Sequence, residues 1–205
     1  MPTKTFFNLS KPKQNRIFEA TKSVILQHPV NKITISMIVR QARIPRGSFY
    51  QYFNGIEDLL KYVYQSFIES FEAHVKSRIM HHEQDVFAFF VTAFDQDYAF
   101  FTTTQFTDVY EKLMRERQFV GLDIAVHQQA RIAFFNRMLD LLDTTRINHL
   151  SREDQLKIYT LYVQLKNQYM HRAMHLEQSY ESAKSDYLFY IRIIEKGVMI
   201  DEKHI

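Results

Sequence analysis

A chain of 205 residues, 46% hydrophobic and 24% charged, can bury a sizeable core and lies near the boundary between one domain and two. It has no cysteine, which excludes a disulfide framework, a thiolate metal site and a cysteine nucleophile and fits a reducing compartment. The net charge of +3 hides an asymmetry: residues 1–55 carry nine Lys/Arg (Lys4, Lys11, Lys13, Arg16, Lys22, Lys32, Arg40, Arg43, Arg46) against one acid, Glu19, for +8, and the remaining 17 Lys/Arg and 22 acids leave −5. That division predicts a polyanion partner for the first part, nucleic acid or anionic membrane.

The opening "MPTKTFFNLSKPKQNR" has too short an apolar run for a secretory signal, and "VFAFFVTAF" before Asp95 is too short to span a bilayer. A cytoplasmic location without membrane insertion is expected. All four prolines (Pro2, Pro12, Pro29, Pro45) fall in the first 45 residues, and only Gly121 and Gly197 follow Gly55. Long helices are therefore expected downstream, and no stretch alternates long enough to argue a sheet.

In chain order, the first predicted helix starts at Ser10 as N-cap with Pro12 in its first turn and ends at His28 before Pro29, burying Ile17, Ala20, Val24 and Ile25. Thr34 caps a second, "ISMIVRQA", whose buried residues are Ile35, Ile38 and Val39. A tight turn at Ala42 to Ile44 follows, and Pro45 opens a third helix of about two turns ending near Phe53. Two short helices around such a turn make a helix-turn-helix, whose second helix enters the DNA major groove. A continuous helix is predicted from about residue 55 to 80, entered through "NGIE" at Asn54 to Glu57, with the stripe Leu60, Tyr64, Phe67, Phe71, Val75 and Ile79. "SRED" at Ser151 to Asp154 opens another, with the stripe Leu156, Tyr159, Val163, Met170 and Met174.

The third helix has a division of labour between its faces. With Phe49 at the centre of the buried side, Phe53 lies about 40° and Tyr52 about 60° away, whereas Gly47 and Gln51 lie about 160° and Tyr50 about 100° away. Aromatics anchor one side and polar groups face outward. Arg46 and Ser48 flank the outward face, so Arg46 can fork onto guanine or contact phosphate, Gln51 can pair with adenine, and Ser48 can meet base or phosphate. Gly47 removes the side chain where the helix comes nearest the groove floor. Tyr50 and Thr34 can donate hydroxyls to phosphate.

The stretch "TISMIVRQARIPRGSFYQYFNGIEDLL" from Thr34 to Leu60 resembles the DNA-binding signature of the tetracycline-repressor (TetR) family of bacterial regulators. The shared features are a Thr starting the second helix, an Ile four residues on, an Ala-x-Ile turn, the "Gly-Ser-aromatic-Tyr" of Gly47 to Tyr50, then "Tyr-Phe" and an acidic "Leu-Leu". The resemblance covers roughly residues 10 to 65. It implies an all-α protein in which a three-helix helix-turn-helix domain, residues 1–55, precedes a larger helical bundle, residues 56–205, for effector binding and dimerisation. It also implies a palindromic double-stranded DNA operator, a homodimer, and release by a small molecule. Thr34, Arg43, Arg46, Gly47, Ser48, Tyr50, Gln51 and Lys32 are the candidate DNA-binding residues. Two positions depart from the family pattern. Arg43 replaces the usual turn Gly, and Ile56 replaces the usual Lys, so backbone contacts shift toward Lys11, Lys13, Lys32 or Arg43.

Downstream, seven aromatics in "DVFAFFVTAFDQDYAFF" and others further on make a hydrophobic or aromatic effector the expected ligand, with Phe90, Phe94, Phe101, Tyr110, Phe134, Met138 and Tyr169 as candidate lining. The same spacing also suits plain core. Ile158, Tyr162, Leu165, Tyr169 and Leu176 form a second stripe beside the one from Leu156. With Tyr187, Ile191, Ile194 and Val198 of the last helix it can pack on a second copy across a two-fold axis. His171 and His175 at i, i+4, and His81-His82 beside Glu83, lack a complete ligand set, so no metal and no cofactor are expected. No phosphate loop, nucleophile elbow or zinc-protease motif occurs, and an enzyme is not expected. The alternatives are an effector-independent DNA-organising protein of the same fold, or a helical enzyme or scaffold whose basic end meets membrane or RNA.

Overall fold

The structure is a computed structural model and describes residues 1–81, 85–103, 106–121 and 124–198. Its helices in chain order are α1 (Lys4–Phe7), α2 (Lys11–Gln27), α3 (Ile35–Ala42), α4 (Arg46–Tyr52), α5 (Ile56–His81), α6 (Val86–Thr103), α7 (Thr107–Arg115), α8 (Ile124–Leu139), α9 (Arg152–Met174) and α10 (Tyr180–Val198), with short 3-10 turns between some of them. Among the described residues no strand forms; Asp85 and Asp143 make one isolated bridge. No described helix is long and apolar enough to cross a membrane.

The chain folds as two compact units, one comprising residues 1–72 and 104–127 and the other residues 73–103 and 128–205. In the first unit the helix boundaries follow local chemistry. Extended Ser10 precedes α2 with Pro12 in its first turn, and extended His28 ends it before Pro29. The Thr34 hydroxyl accepts from the Met37 N–H at 3.4 Å and so caps α3. At the start of α5 the expected Asn54–Glu57 pairing is replaced: the Asn54 N–H donates to Asp58 Oδ2 at 3.2 Å, one residue further on. Ile17, Ile25, Ile38, Phe49, Phe53, Leu59 and Val63 are fully buried in one core, closed from the other side by Val109, Leu113 and Val120. Each such apolar side chain contributes roughly 1.5–3 kcal/mol by burial. The Glu116 carboxylate that follows α7 accepts from the Val30 N–H at 2.8 Å, tying the turn after α2 to that helix.

The second unit is built on aromatic packing. Asp85 caps α6, accepting at Oδ1 from the N–H groups of Phe87 (3.0 Å) and Ala88 (2.8 Å). Ser151 caps α9 by accepting from the Asp154 N–H at 3.2 Å, as "SRED" predicts. Phe90 stacks on Tyr162 with ring centroids 3.9 Å apart, Phe94 stacks on Tyr187 at 5.3 Å, and the Tyr187 hydroxyl donates to the Phe90 carbonyl at 2.7 Å. Within this apolar interior sits an ionic cluster. The Asp97 carboxylate of α6, 1% exposed, meets Arg78 of α5 and His74 at Oδ1 and Lys166 of α9 at Oδ2. Burial alone would raise the Asp97 pKa. Lys166, the His74 hydrogen bond and Arg78 outweigh it and hold the carboxyl well below the usual carboxylate range.

Candidate nucleic-acid interface

Helix α4 lies with Phe49 and Tyr52 inside the core and Gly47, Tyr50 and Gln51 outside. The wheel drawn from the sequence is thus realised, with Ser48 half-buried at its edge. Its buried side is gripped by rings: Phe49 packs on Phe53 at 5.5 Å, and Phe6 of α1 packs on Phe53 at 4.9 Å and Tyr52 at 6.3 Å. The C-terminal carbonyls of α4 are satisfied from the same direction. The Thr3 N–H donates to the Tyr52 carbonyl at 2.9 Å and the Thr3 hydroxyl to the Gln51 carbonyl at 2.6 Å. Sequence reasoning missed this N-terminal segment; the paired aromatics Phe6 and Phe7 in an otherwise polar stretch were its signal.

Between α3 and α4 the chain turns through Arg43, which adopts φ 52 and ψ 52 in the left-handed region. The Ile44 N–H donates to the Val39 carbonyl at 3.0 Å and the Arg43 N–H to the Arg40 carbonyl at 3.3 Å, the paired bonds of a Schellman ending. Glycine is the usual occupant of that conformation, and here arginine takes it without the turn being reshaped. Pro45 is the N-cap of α4 rather than its first residue, a shift of one position, because its ψ of 144 is extended. Arg46 Nη1 donates to the Ser36 hydroxyl at 2.8 Å and Nη2 reaches Tyr50 Oη at 3.4 Å, so α3 and α4 present one shared polar surface. Ser36 carried no signal in the sequence beyond its place in the first turn of α3.

No carboxylate occurs between Glu19 and Glu57, and Lys32, Thr34, Arg40, Arg43 and Arg46 are all exposed. One cation expected to contribute is withdrawn: Lys22 is buried, bonded to Glu19 at 2.9 Å and seated over the Phe106 ring at 4.6 Å. What remains on α3, α4 and the turn between them, none of whose own residues is acidic, is a set of forked, hydroxyl and amide donors around a bare glycine. Gly47 has open space where a Cβ would stand. Such a surface suits phosphates and base edges.

The candidate effector residues divide between the two units, and the candidate dimer residues differ in burial. Tyr110 belongs to the first unit, stacked on Phe67 at 4.1 Å. Phe90, Phe94, Phe134, Met138 and Tyr169 are buried in the second unit and Phe101 is half-buried. A cleft in that unit is lined by His74, Ser77, Arg78, Gln96, Ala99, Phe100 and Thr103, with a volume of about 510 Å³. Of the interface stripe, Tyr162, Tyr169, Tyr187 and Ile191 are consumed by the core, and Ile158, Leu165, Ile194 and Val198 are half-buried. Leu176 lies past the end of α9, 90% exposed with φ 58. The apolar side chains left outside on α9 and α10 are Leu161, Phe189, Tyr190 and Ile193. His171 and His175 lie with ring centroids 4.1 Å apart and planes tilted by 49°, and among the described residues no three His, Cys, Asp or Glu side chains gather as a metal site. His82 and Glu83 lie outside the described residues.

The helices together define an N-terminal helix-turn-helix followed by a helical C-terminal domain. Residues 17–63 match the model of bacterial regulatory proteins of the tetR family, so this segment is similar to the part of those regulators that the model describes. A comparison with curated proteins gives no match. Solved structures share the fold. A TetR-family regulator from Chloroflexus aurantiacus J-10-FL is 22% identical, with 98% of this chain and 99% of that one covered and a TM-score of 0.60. The regulator FadR from Bacillus subtilis, in complex with stearoyl-CoA, is 14% identical over 86% of this chain and 96% of its own, TM-score 0.62. The fatty acid degradation regulator FadR from Bacillus halodurans is 16% identical over 97% and 100%, TM-score 0.58.

Proposed function

We propose that the protein is a repressor that binds a palindromic operator as a homodimer through residues 1–55 and is released when a small molecule binds residues 56–205. The observation that carries this reading is α4 itself: a short helix without an acidic residue, anchored by rings, with Arg46, Gly47, Tyr50 and Gln51 turned outward. Arg46 and Gln51 read bases, Ser48, Tyr50, Thr34, Lys32 and Arg43 position the backbone, and the bare face at Gly47 admits the groove. Exposed Leu161, Phe189, Tyr190 and Ile193 support a second copy as partner, since an isologous interface would bury them and set two α4 helices on two half-sites. The stearoyl-CoA held by the Bacillus subtilis regulator supports a ligand-binding role for a chain of this fold. An effector that prefers the conformation with displaced recognition helices weakens operator binding by the reciprocal factor.

The test is selection from a random duplex pool with the full chain, followed by footprinting. Enrichment of an inverted repeat with protection of both half-sites is expected. No enrichment, or enrichment unchanged by Gln51→Ala together with Arg46→Ala, would overturn the reading. Ile193→Lys should give monomers in sedimentation and lose operator affinity with the fold retained.

A further inference from the structure

The cleft of the second unit contains unspent hydrogen-bonding capacity. Arg78, 6% exposed, is fixed on several sides: Nη1 on Asp97, Nη2 on the Phe89 carbonyl at 3.4 Å, and its guanidinium over the Phe89 ring at 4.5 Å. Its Nε is buried with no partner among the described residues, and so is Oε1 of Gln96. Both side chains line the same cleft, one from α5 and one from α6. Buried polar atoms are rarely left unpaired, and two of them on residues that line one cavity point to a ligand there. A half-turn of the Gln96 amide exchanges its oxygen for its NH2, after which two donors line the cleft. A cationic guest is disfavoured by Arg78, and a neutral hydrocarbon leaves both polar groups unsatisfied.

We propose that this cleft binds an organic carboxylate, one oxygen taking the Arg78 Nε–H and the other the Gln96 amide, with a flat apolar body lying along Ala99 and Phe100. Phe100 presents a ring stacked on His74 at 4.6 Å and 28°, a broad face for such a body. The volume of about 510 Å³ admits one or two fused rings. Because Asp97 and Phe89 already hold the guanidinium in place, little ordering remains to be done when the ligand arrives. The proposal rests on the reading of residues 56–205 as ligand-binding and names the chemistry of that ligand.

The experiment is calorimetric titration of the full chain with acetate, benzoate and 2-naphthoate, against neutral 2-naphthamide and inorganic phosphate. Binding of 2-naphthoate well above 2-naphthamide is expected, and the loss of a charge-assisted bond in Arg78→Lys should weaken it about tenfold. Gln96→Leu changes a half-buried side chain, keeps Arg78 and Asp97 in place, and should also weaken 2-naphthoate. The proposal is overturned if none of the three carboxylates binds, if the amide or phosphate binds at least as tightly, or if both variants retain wild-type affinity. Operator release is read separately. If 2-naphthoate binds through Arg78 but DNA stays bound, the site stands and effector control by it falls. If another compound releases DNA with unchanged potency in Arg78→Lys and none of the three carboxylates binds, effector control stands and this site falls.

Discussion

Arg46 Nη1 and the Ser36 hydroxyl lie 2.8 Å apart, so the side chain proposed to read a base is already held in place by α3. Arg46 must keep or exchange that bond on docking. Arg46→Ala should weaken the selected operator by about 1–3 kcal/mol and relax the preference at one base pair, whereas a phosphate role would weaken all sequences alike and lower the salt slope by about one. Binding to a set of single-base operator variants at several salt concentrations distinguishes the two.

Arg43 invites the opposite comparison. In Arg43→Gly the left-handed conformation becomes unstrained, and stability should rise by about 1 kcal/mol, or roughly 2–4 °C in Tm for a chain of this size. If Arg43 also meets a phosphate, the same variant should bind DNA less tightly. Thermal melts and a salt titration together read both effects.

The N-terminal segment should matter for recognition through its hold on α4. Phe6 is fully buried against Phe53 and Tyr52, and Thr3 satisfies the last carbonyls of α4. Phe6→Ala should destabilise the first unit by about 3–5 kcal/mol. Thr3→Ala removes one of the two bonds and should cost about 0.5–1.5 kcal/mol. Amide exchange along α4 in Thr3→Ala should quicken most at its C-terminal turn.

The Asp97 cluster makes acid stability specific. Its folded pKa is depressed, so its contribution is present above the unfolded carboxyl value near 3.9 and is lost as pH falls from there toward the lower folded value. Asp97→Ala leaves Arg78 and Lys166 buried without that carboxylate and should cost about 3–5 kcal/mol at neutral pH. Its stability should also fall less steeply than wild type below about pH 4. Urea melts between pH 3 and 7 on both proteins measure the difference.

The parts of the fold that sequence disclosed are those with local punctuation. Ser10, Pro12 and Pro29 bracket α2, Thr34 opens α3, and Pro45 marks the start of α4 to within one residue. The outward face of α4 followed from helical geometry alone, because Phe49, Tyr52 and the residues opposite them differ so much in chemistry. The division into units was not legible. Helix α7 joins the first unit through contacts such as Glu116 with Val30, whose sequence separation leaves no mark on composition. The ionic cluster escaped for another reason. Asp97, Arg78 and Lys166 each interrupt a stripe that reads as apolar, and counting matches to a helical period passes over its exceptions. Those exceptions were the signal. Most of the aromatic residues chosen as pocket lining are buried, and nothing in a spacing tells a ring that faces a cavity from one that fills the core.

Gly47 sits inside a helix with nothing within 4 Å of where a side chain would begin. Alanine there would favour the helix by roughly 0.5–1 kcal/mol and touch no neighbour. Stability of the lone chain therefore argues for a methyl group at this position. What the hydrogen leaves is clearance, about one carbon deep, which the proposed docking of a duplex on α4 would use.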